Sequence, residues 1–247
     1  MGGRIMDLTI ADKEKIRMKR IFTKATVLLL IAAGMTACTK EEVKPELEDG
    51  LSTVIKDLPG DLGASMADGV DGKVKRPFED WYFNLRSRQK ITDTAAAAKT
   101  LGWDIGFTGI YNSMIMVNSG TDPKSPGYGG SGKGLVVAIE KPYNQVNEAP
   151  TIEQMQSKNL SFFGWDAYPQ PYQTGWYFYD MKTHISVPVK GRTFVFLTAD
   201  GKYAKIEMLN IYKGNPNTVT DLHWPAPYFT FRYFIQEDGS RNLNTMK

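Results

Sequence analysis

Hydrophobic residues gather in short runs along this chain, and several of the runs alternate. In Thr193-Phe194-Val195-Phe196-Leu197 the two phenylalanines share one face of an extended backbone, and Phe229, Phe231 and Tyr233 do the same. Runs of this kind predict strands over Phe78 to Leu85, Trp103 to Phe107, Leu135 to Ile139, Trp176 to Tyr179, Thr193 to Leu197, Ala204 to Ile211 and Tyr228 to Ile235. Each is β-branched or aromatic, and turn residues such as Asp200-Gly201 and Asp238-Gly239 bound them. Helical signals are few. Thr92 to Leu101, with Ala95 to Ala98 inside it, reads as a short helix or an extended link, and Ile152 to Lys158 as one or two helical turns. Gly-Trp-Asp occurs at Gly102 and again at Gly164, but in different surroundings, so no internal repeat is evident. The pattern predicts a mainly β fold, a single antiparallel domain with long loops and little helix.

The N-terminal region follows another logic. Lys19, Arg20 and Lys24 precede an apolar run from Ala25 to Gly34, and Met35-Thr36-Ala37-Cys38 follows it. Basic, apolar and small residues in that order describe a secretory signal, and the run falls short of the roughly 20 residues that span a bilayer. The single cysteine of the chain directly after the run resembles a bacterial lipoprotein signal, which implies that Cys38 is lipidated and becomes the mature N-terminus. A plain secretory signal or an uncleaved anchor is the alternative, because Met35 is a less usual choice than leucine at its position. Met18-Lys19-Arg20 makes a more typical start than Met1. The expected organisation is a signal peptide over 1–37 with a true start at Met18, a tether over 38–50 and a β domain over 51–247. The tether, Thr39 to Gly50, is charged and almost free of core formers. Its Lys40-Glu41-Glu42 also resembles the surface-export signal of Bacteroidetes lipoproteins, an ordinary charged linker being the alternative.

That organisation changes the charge balance. All 247 residues carry 30 Lys+Arg and 27 Asp+Glu, a net +3; the leader holds seven basic and three acidic residues, which leaves 23 against 24 and a net −1. No overall basic balance remains to attract nucleic acid. One Cys and two His exclude a disulfide framework and a Cys/His zinc cluster. A charged fraction of 23% with 12% aromatics is that of a folding chain and not of a disordered one.

Three features invite a chemical reading. The stretch Asn118 to Gly134 ends in Gly127-Tyr-Gly-Gly-Ser-Gly132-Lys133-Gly134, close to a phosphate-binding loop, but Gly134 stands where Ser or Thr would hold Mg²⁺ and a strand follows in place of a helix. A long flexible loop that approaches a ligand by its backbone is the better expectation. Met114-Ile115-Met116 places two thioethers on one face of a possible strand, a spacing suited to Cu(I) and equally to core filling. Catalytic signals are poor: no Gly-x-Ser-x-Gly elbow is present, and His184 and His223 are the only imidazoles. Glycosidase carboxylates need no local motif.

Several segments, taken in order, are similar to one family. Trp103-Asp104-Ile105-Gly106-Phe107, Asn118-Ser119-Gly120, the loop ending Gly132-Lys133-Gly134, Trp176-Tyr177-Phe178-Tyr179 and the hairpin from Thr193 through Ala199-Asp200-Gly201 to Ile206 resemble the HmuY family, over most of residues 75–236. The resemblance implies an HmuY-like β domain and a haem-binding lipoprotein of the outer membrane and cell surface, anchored only by its lipid, with a released soluble form as the alternative. It implies a carrier and not an enzyme, which takes haem (iron protoporphyrin IX), with host haemoproteins as a candidate source, and passes it to a TonB-dependent outer-membrane receptor.

The resemblance also directs attention to two methionines. Where the founding member has histidines on both faces of the iron, this chain offers Met181, after the Trp176-led strand, and Met155, between the glycine-rich loop and that strand. Replacement of both histidines by methionine is a pattern among relatives of the founding member. A thioether is a soft, neutral ligand that favours Fe(II). If the strand continues to Met181, Tyr177, Tyr179 and Met181 share a face. His184 is the rival to Met181. Met155, flanked by Gln154, Gln156, Ser157 and Lys158, does not read as core. Phe162, Phe163, Trp165, Tyr168 and Tyr172 lie between the two candidates, and Lys182 and Lys133 are basic residues near these segments. Two other classes share the composition: a surface glycan-binding lipoprotein with exposed aromatic platforms, and an adhesin-like β domain.

Overall fold

The computed structural model describes residues 47–70, 72–166 and 174–246. The leader, Cys38, most of the tether, Tyr168 and Tyr172 lie outside the described residues. One unit spans Pro45–Lys247.

Among the described residues fifteen strands follow in chain order: β1 (Thr53–Pro59), β2 (Ala64–Ser65), β3 (Val74–Lys75), β4 (Trp81–Asn84), β5 (Gln89–Ile91), β6 (Ile105–Thr108), β7 (Met114–Val117), β8 (Val136–Ile139), β9 (Phe162–Phe163), β10 (Trp165–Asp166), β11 (Tyr177–Tyr179), β12 (Ser186–Pro188), β13 (Thr193–Leu197), β14 (Tyr203–Asn210) and β15 (Tyr228–Ile235). Two five-stranded antiparallel sheets dominate, ordered β1-β15-β14-β13-β8 and β5-β4-β6-β7-β9. A three-stranded sheet, β10-β11-β12, follows directly on β9.

The main core lies between the two large sheets, because the alternation read from sequence turns every second side chain inward. Phe194, Phe196, Ala204, Ile206, Phe229, Phe231 and Tyr233 of the first sheet meet Trp81, Phe83, Ile105, Phe107, Ile115, Val117 and Phe163 of the second. Phe163 stacks on Phe194 with ring centroids 4.0 Å apart, and Phe107 packs obliquely on Phe229 at 4.7 Å.

The other face of the first sheet is buried too. Val137, Val195, Leu197 and Tyr203 form a second cluster with Val146, Ala149, Met155 and Leu243. Its cover is the segment 143–158 with the C-terminal residues, which is why β13 is buried at all five positions instead of alternating inside and outside. Lys205, on this face and fully buried, donates to the carbonyls of Tyr143 (2.9 Å) and Val146 (3.1 Å) and to Thr245 Oγ1 (3.2 Å), and its ammonium sits 4.2 Å from the Tyr143 ring centre. The end of the expected tether joins this layer: Asp49 accepts from the Leu51 and Ser52 amides, and Ser52 Oγ meets Tyr143 Oη at 2.8 Å. Although burial works against the Asp49 carboxylate, the Ser52 and Leu51 hydrogen bonds bring its pKa down to about 2.

The helical expectations shorten. Only Thr94–Ala97 forms the first helix, α1, capped by Asp93 accepting from Ala96 N at 3.1 Å; its end is closed when the Trp103 indole donates to the Ala97 and Ala98 carbonyls, both at 3.1 Å. The second, α2, spans Ile152–Ser157 and starts with a reciprocal capping box between Thr151 and Gln154. β1 escaped the pattern reading because Lys56 and Asp57 interrupt its alternation; Asp57 takes a φ of 53° where the β1 register shifts between Ile55 and Leu58.

Candidate functional site

Met181 and Met155 are not brought together. Met155 is wholly buried in the second cluster, under the outer face of the first sheet. The expectation that it is not a core residue is corrected: on a six-residue helix its polar neighbours turn to solvent while Met155 packs in one cluster with Val137 and Val195. Met181, 71% exposed, stands at the tip of the β11–β12 hairpin. That hairpin is tied to the other core, since Tyr177 belongs to the cluster between the sheets and Tyr179 and Ile185 pack against it. Met155 and the hairpin that carries Met181 therefore pack in different clusters.

The strand does not run on to Met181. β11 stops at Tyr179, and Asp180 builds a tight turn: its carboxylate accepts from Lys182 N (2.8 Å), its carbonyl from His184 N (2.7 Å), and its own amide donates to Ile185 O (3.0 Å). His184 closes the turn at φ 57°, and its Nδ1 lies 2.9 Å from Tyr179 Oη.

Around the base of this hairpin four tyrosines converge. Tyr177 Oη pairs with Ser113 Oγ at 2.8 Å, and Tyr212 Oη accepts from Ser186 N at 3.0 Å. Burial, reinforced by the neighbouring phenols, pushes the pKa of Tyr111 up; for Tyr177 and Tyr212 burial outweighs their hydrogen bonds and does the same. All three remain neutral phenols in the ordinary pH range. Trp176 beside them donates its indole to Ser113 O at 2.8 Å. Arg192, fully buried, binds Asp166, Glu140 and the Gly175 carbonyl, so one guanidinium holds both residues that flank the 167–174 segment. A pattern reading missed Arg192, since a lone arginine before a strand carries no local signal.

The glycine-rich stretch is a packed plug and not a flexible cradle. Gly120 N donates to Gly132 O (2.7 Å), Gly134 N to Asn118 O (2.7 Å) and Lys133 N to Ala199 O (3.0 Å). A Cβ on Gly132 would come within 2.2 Å of Asn118 Oδ1, and one on Gly127 within 2.3 Å, so the glycines answer to close packing of backbone on Asn118. Lys133 lies against Gly201 in the β13–β14 turn, whereas Lys182 belongs to the β11–β12 hairpin. Met114 is likewise a packing residue: it fills the space over Gly109 and Gly164.

Among the described residues no group of three or more His, Cys, Asp or Glu is placed to hold a metal, and no helix is long and apolar enough to cross a membrane. A cleft of about 320 Å³ opens between Leu51, Arg86, Arg88 and Tyr233, and one of about 170 Å³ beside β8 and α2, lined by Ala138, Pro150 and Gln154. Neither reaches the hairpin.

The HmuY family model matches residues 79–224, which run from the start of β4 through the tyrosine cluster to Trp224. This chain belongs to the HmuY family. The resemblance read from the sequence is thereby borne out, and with it the mainly β, HmuY-like fold. HmuY proteins are a haem-binding-related family of lipoproteins, binding proteins and not enzymes. Among solved structures, apo PinO from Porphyromonas gingivitis is 13% identical with a TM-score of 0.41, covering 75% of this chain and 97% of its own. The apo HmuY analog of Tannerella forsythia is 15% identical with a TM-score of 0.38, covering 75% and 94%. No curated protein sequence matches the chain. The HmuY segment omits β1 and β15, which this chain uses to complete the first sheet.

Proposed function

We propose that this HmuY-family chain is a lipid-anchored haem carrier of the outer membrane, which takes haem at the tyrosine-lined end of the sandwich and passes it to a TonB-dependent receptor. The family match over residues 79–224 carries the reading. The β11–β12 hairpin supports the choice of place. Met181 offers a solvent-facing thioether on a turn braced by Asp180, two residues after the half-buried ring of Tyr179, whose flat face suits an apolar macrocycle. Of the two methionines Met181 carries the proposal; Met155 would serve as a ligand only after α2 left the sheet. Capture then needs no bond to be made or broken in the cargo, and release follows when the iron ligand lets go to a tighter-binding partner.

The test is a titration of the purified protein with haemin, reduced and oxidised, followed in the Soret region. Saturable binding, with the ferrous spectrum altered in Met181→Ala, is expected; no spectral change in either state sinks the proposal. Haem that stays on the protein when a receptor of higher haem affinity is added would remove the carrier role.

A further inference from the structure

The hairpin that presents Met181 presents a second donor of opposite character. Tyr179 is half-buried against the core, its ring centre is 6.0 Å from that of His184, and its hydroxyl lies 2.9 Å from His184 Nδ1 at the surface. Tyr177 and Tyr212 spend their hydroxyls on Ser113 and on the Ser186 amide. Tyr179 instead is paired with an imidazole, a group able to accept a phenol proton. The backbone pays for that contact. His184 sits at φ 57°, a conformation that favours glycine, and the next turn meets a similar demand with Gly191 at φ 74°. A side chain kept in that conformation points from strain to a role for the side chain.

We propose that Tyr179 Oη is the protein's ligand for haem iron in the ferric state, with His184 as its positioning partner. This rests on the haem reading above and adds to it a donor that neither the family match nor the methionine assignment supplies. On binding, the Tyr179 O–H bond breaks, its proton passes to His184 Nδ1, a lone pair of Oη forms the bond to Fe(III), and the water or anion on haemin leaves; no electron moves. A hard anionic oxygen suits Fe(III) and a soft thioether suits Fe(II). The hairpin thus holds one donor for each oxidation state, Tyr179 for haem as it meets an oxidising exterior and Met181 for reduced haem.

The full chain is titrated with ferric haemin and, separately, with dithionite-reduced haem, for the native protein, Tyr179→Phe, His184→Asn and Met181→Leu. Asparagine tolerates the left-handed conformation and removes the base. The ferric native complex is expected to show a phenolate-to-iron charge-transfer band and phenolate modes in resonance Raman spectra. Tyr179→Phe loses both while its ferrous complex and unfolding midpoint persist, which separates ligation from a merely structural hydrogen bond. His184→Asn weakens ferric binding about tenfold, the loss of one charge-assisted hydrogen bond. Met181→Leu changes the ferrous spectrum, which assigns the reduced state to the thioether. Bands absent from the native complex, or surviving in Tyr179→Phe, overturn the assignment. A ferric spectrum abolished by His184→Asn but not by Tyr179→Phe also overturns it, by making the imidazole the ligand. Failure of the native chain to bind haem in both states removes the haem reading itself, an outcome distinct from ferric binding without phenolate.

Discussion

Replacing Met155 by alanine separates a core role from a ligand role by measurement. The side chain is wholly buried among Val137, Val146, Ala149, Val195, Leu197, Tyr203 and Leu243. Cutting it back to Cβ removes about 2 kcal/mol of transfer free energy. Where the β13 side chains and α2 cannot close the gap, a cavity term of roughly 24 cal/mol per Å³ adds on the order of another 1 kcal/mol. The expected loss is therefore about 3 kcal/mol, which for a domain of this size lowers Tm by about 6–12 °C. Urea unfolding of the native and variant chains reads it directly, as a lower midpoint at unchanged slope. Met155→Leu, which restores the volume, should cost less than about 1.5 kcal/mol. Haem spectra of Met155→Ala should match the native protein below the melting range. A stability change under about 1 kcal/mol, accompanied by loss of the haem spectrum, would refute the core assignment and return Met155 to the iron.

Lys205 supplies a pH test: burial lowers its pKa from the ordinary 10.5 to about 8, so between those values the unfolded chain holds a proton that the folded chain has given up, and stability rises with pH. Buried tyrosines such as Tyr143, whose pKa burial raises, reverse that trend above about pH 10. In Lys205→Met the rise from pH 8 to 10 should shrink to the share of Lys90, also lowered by burial; thermal melts across that range check it. Gly132→Ala, whose Cβ would meet Asn118 Oδ1 at 2.2 Å, should cost about 1–3 kcal/mol or more in chemical unfolding, whereas a flexible cradle would absorb it. Asp104 accepts from Leu85 N at 2.9 Å and Ala199 N at 3.0 Å; Asp104→Asn turns an amide donor toward one of those N–H groups and should cost about 1–3 kcal/mol, read from the same unfolding curves.

How much of this was legible beforehand differs from residue to residue. The strands Thr193–Leu197 and Tyr228–Ile235 appear as read, because aromatic residues at every second position leave one face no alternative to burial. Strand ends were less legible. The run from Phe78 becomes a strand only at Trp81, since pairing to β5 and β6 sets its length and sequence does not display the partner. The glycine-rich stretch was marked as unusual, but its reason, crowding on Asn118, is a contact between distant backbones. Met155 shows the limit most clearly. Polar neighbours in sequence suggested exposure, whereas one face of a short helix sufficed to bury it. Met181 shows the converse, for an extended strand was expected where Asp180 turns the chain.

The sequence alone determined the class of fold, the segment order characteristic of the HmuY family and the short list of soft donors, because alternation, turn residues and local motifs are properties of neighbouring residues. Tertiary structure alone decided which donors face solvent and which share a site. The first sheet buries both its faces, so Met155 and the hairpin of Met181 pack in different clusters, and the hairpin sets Tyr179 against His184. The physical reason is that burial and proximity are fixed by packing between elements, and a side chain's partners across a sheet leave no trace in the spacing along its own strand.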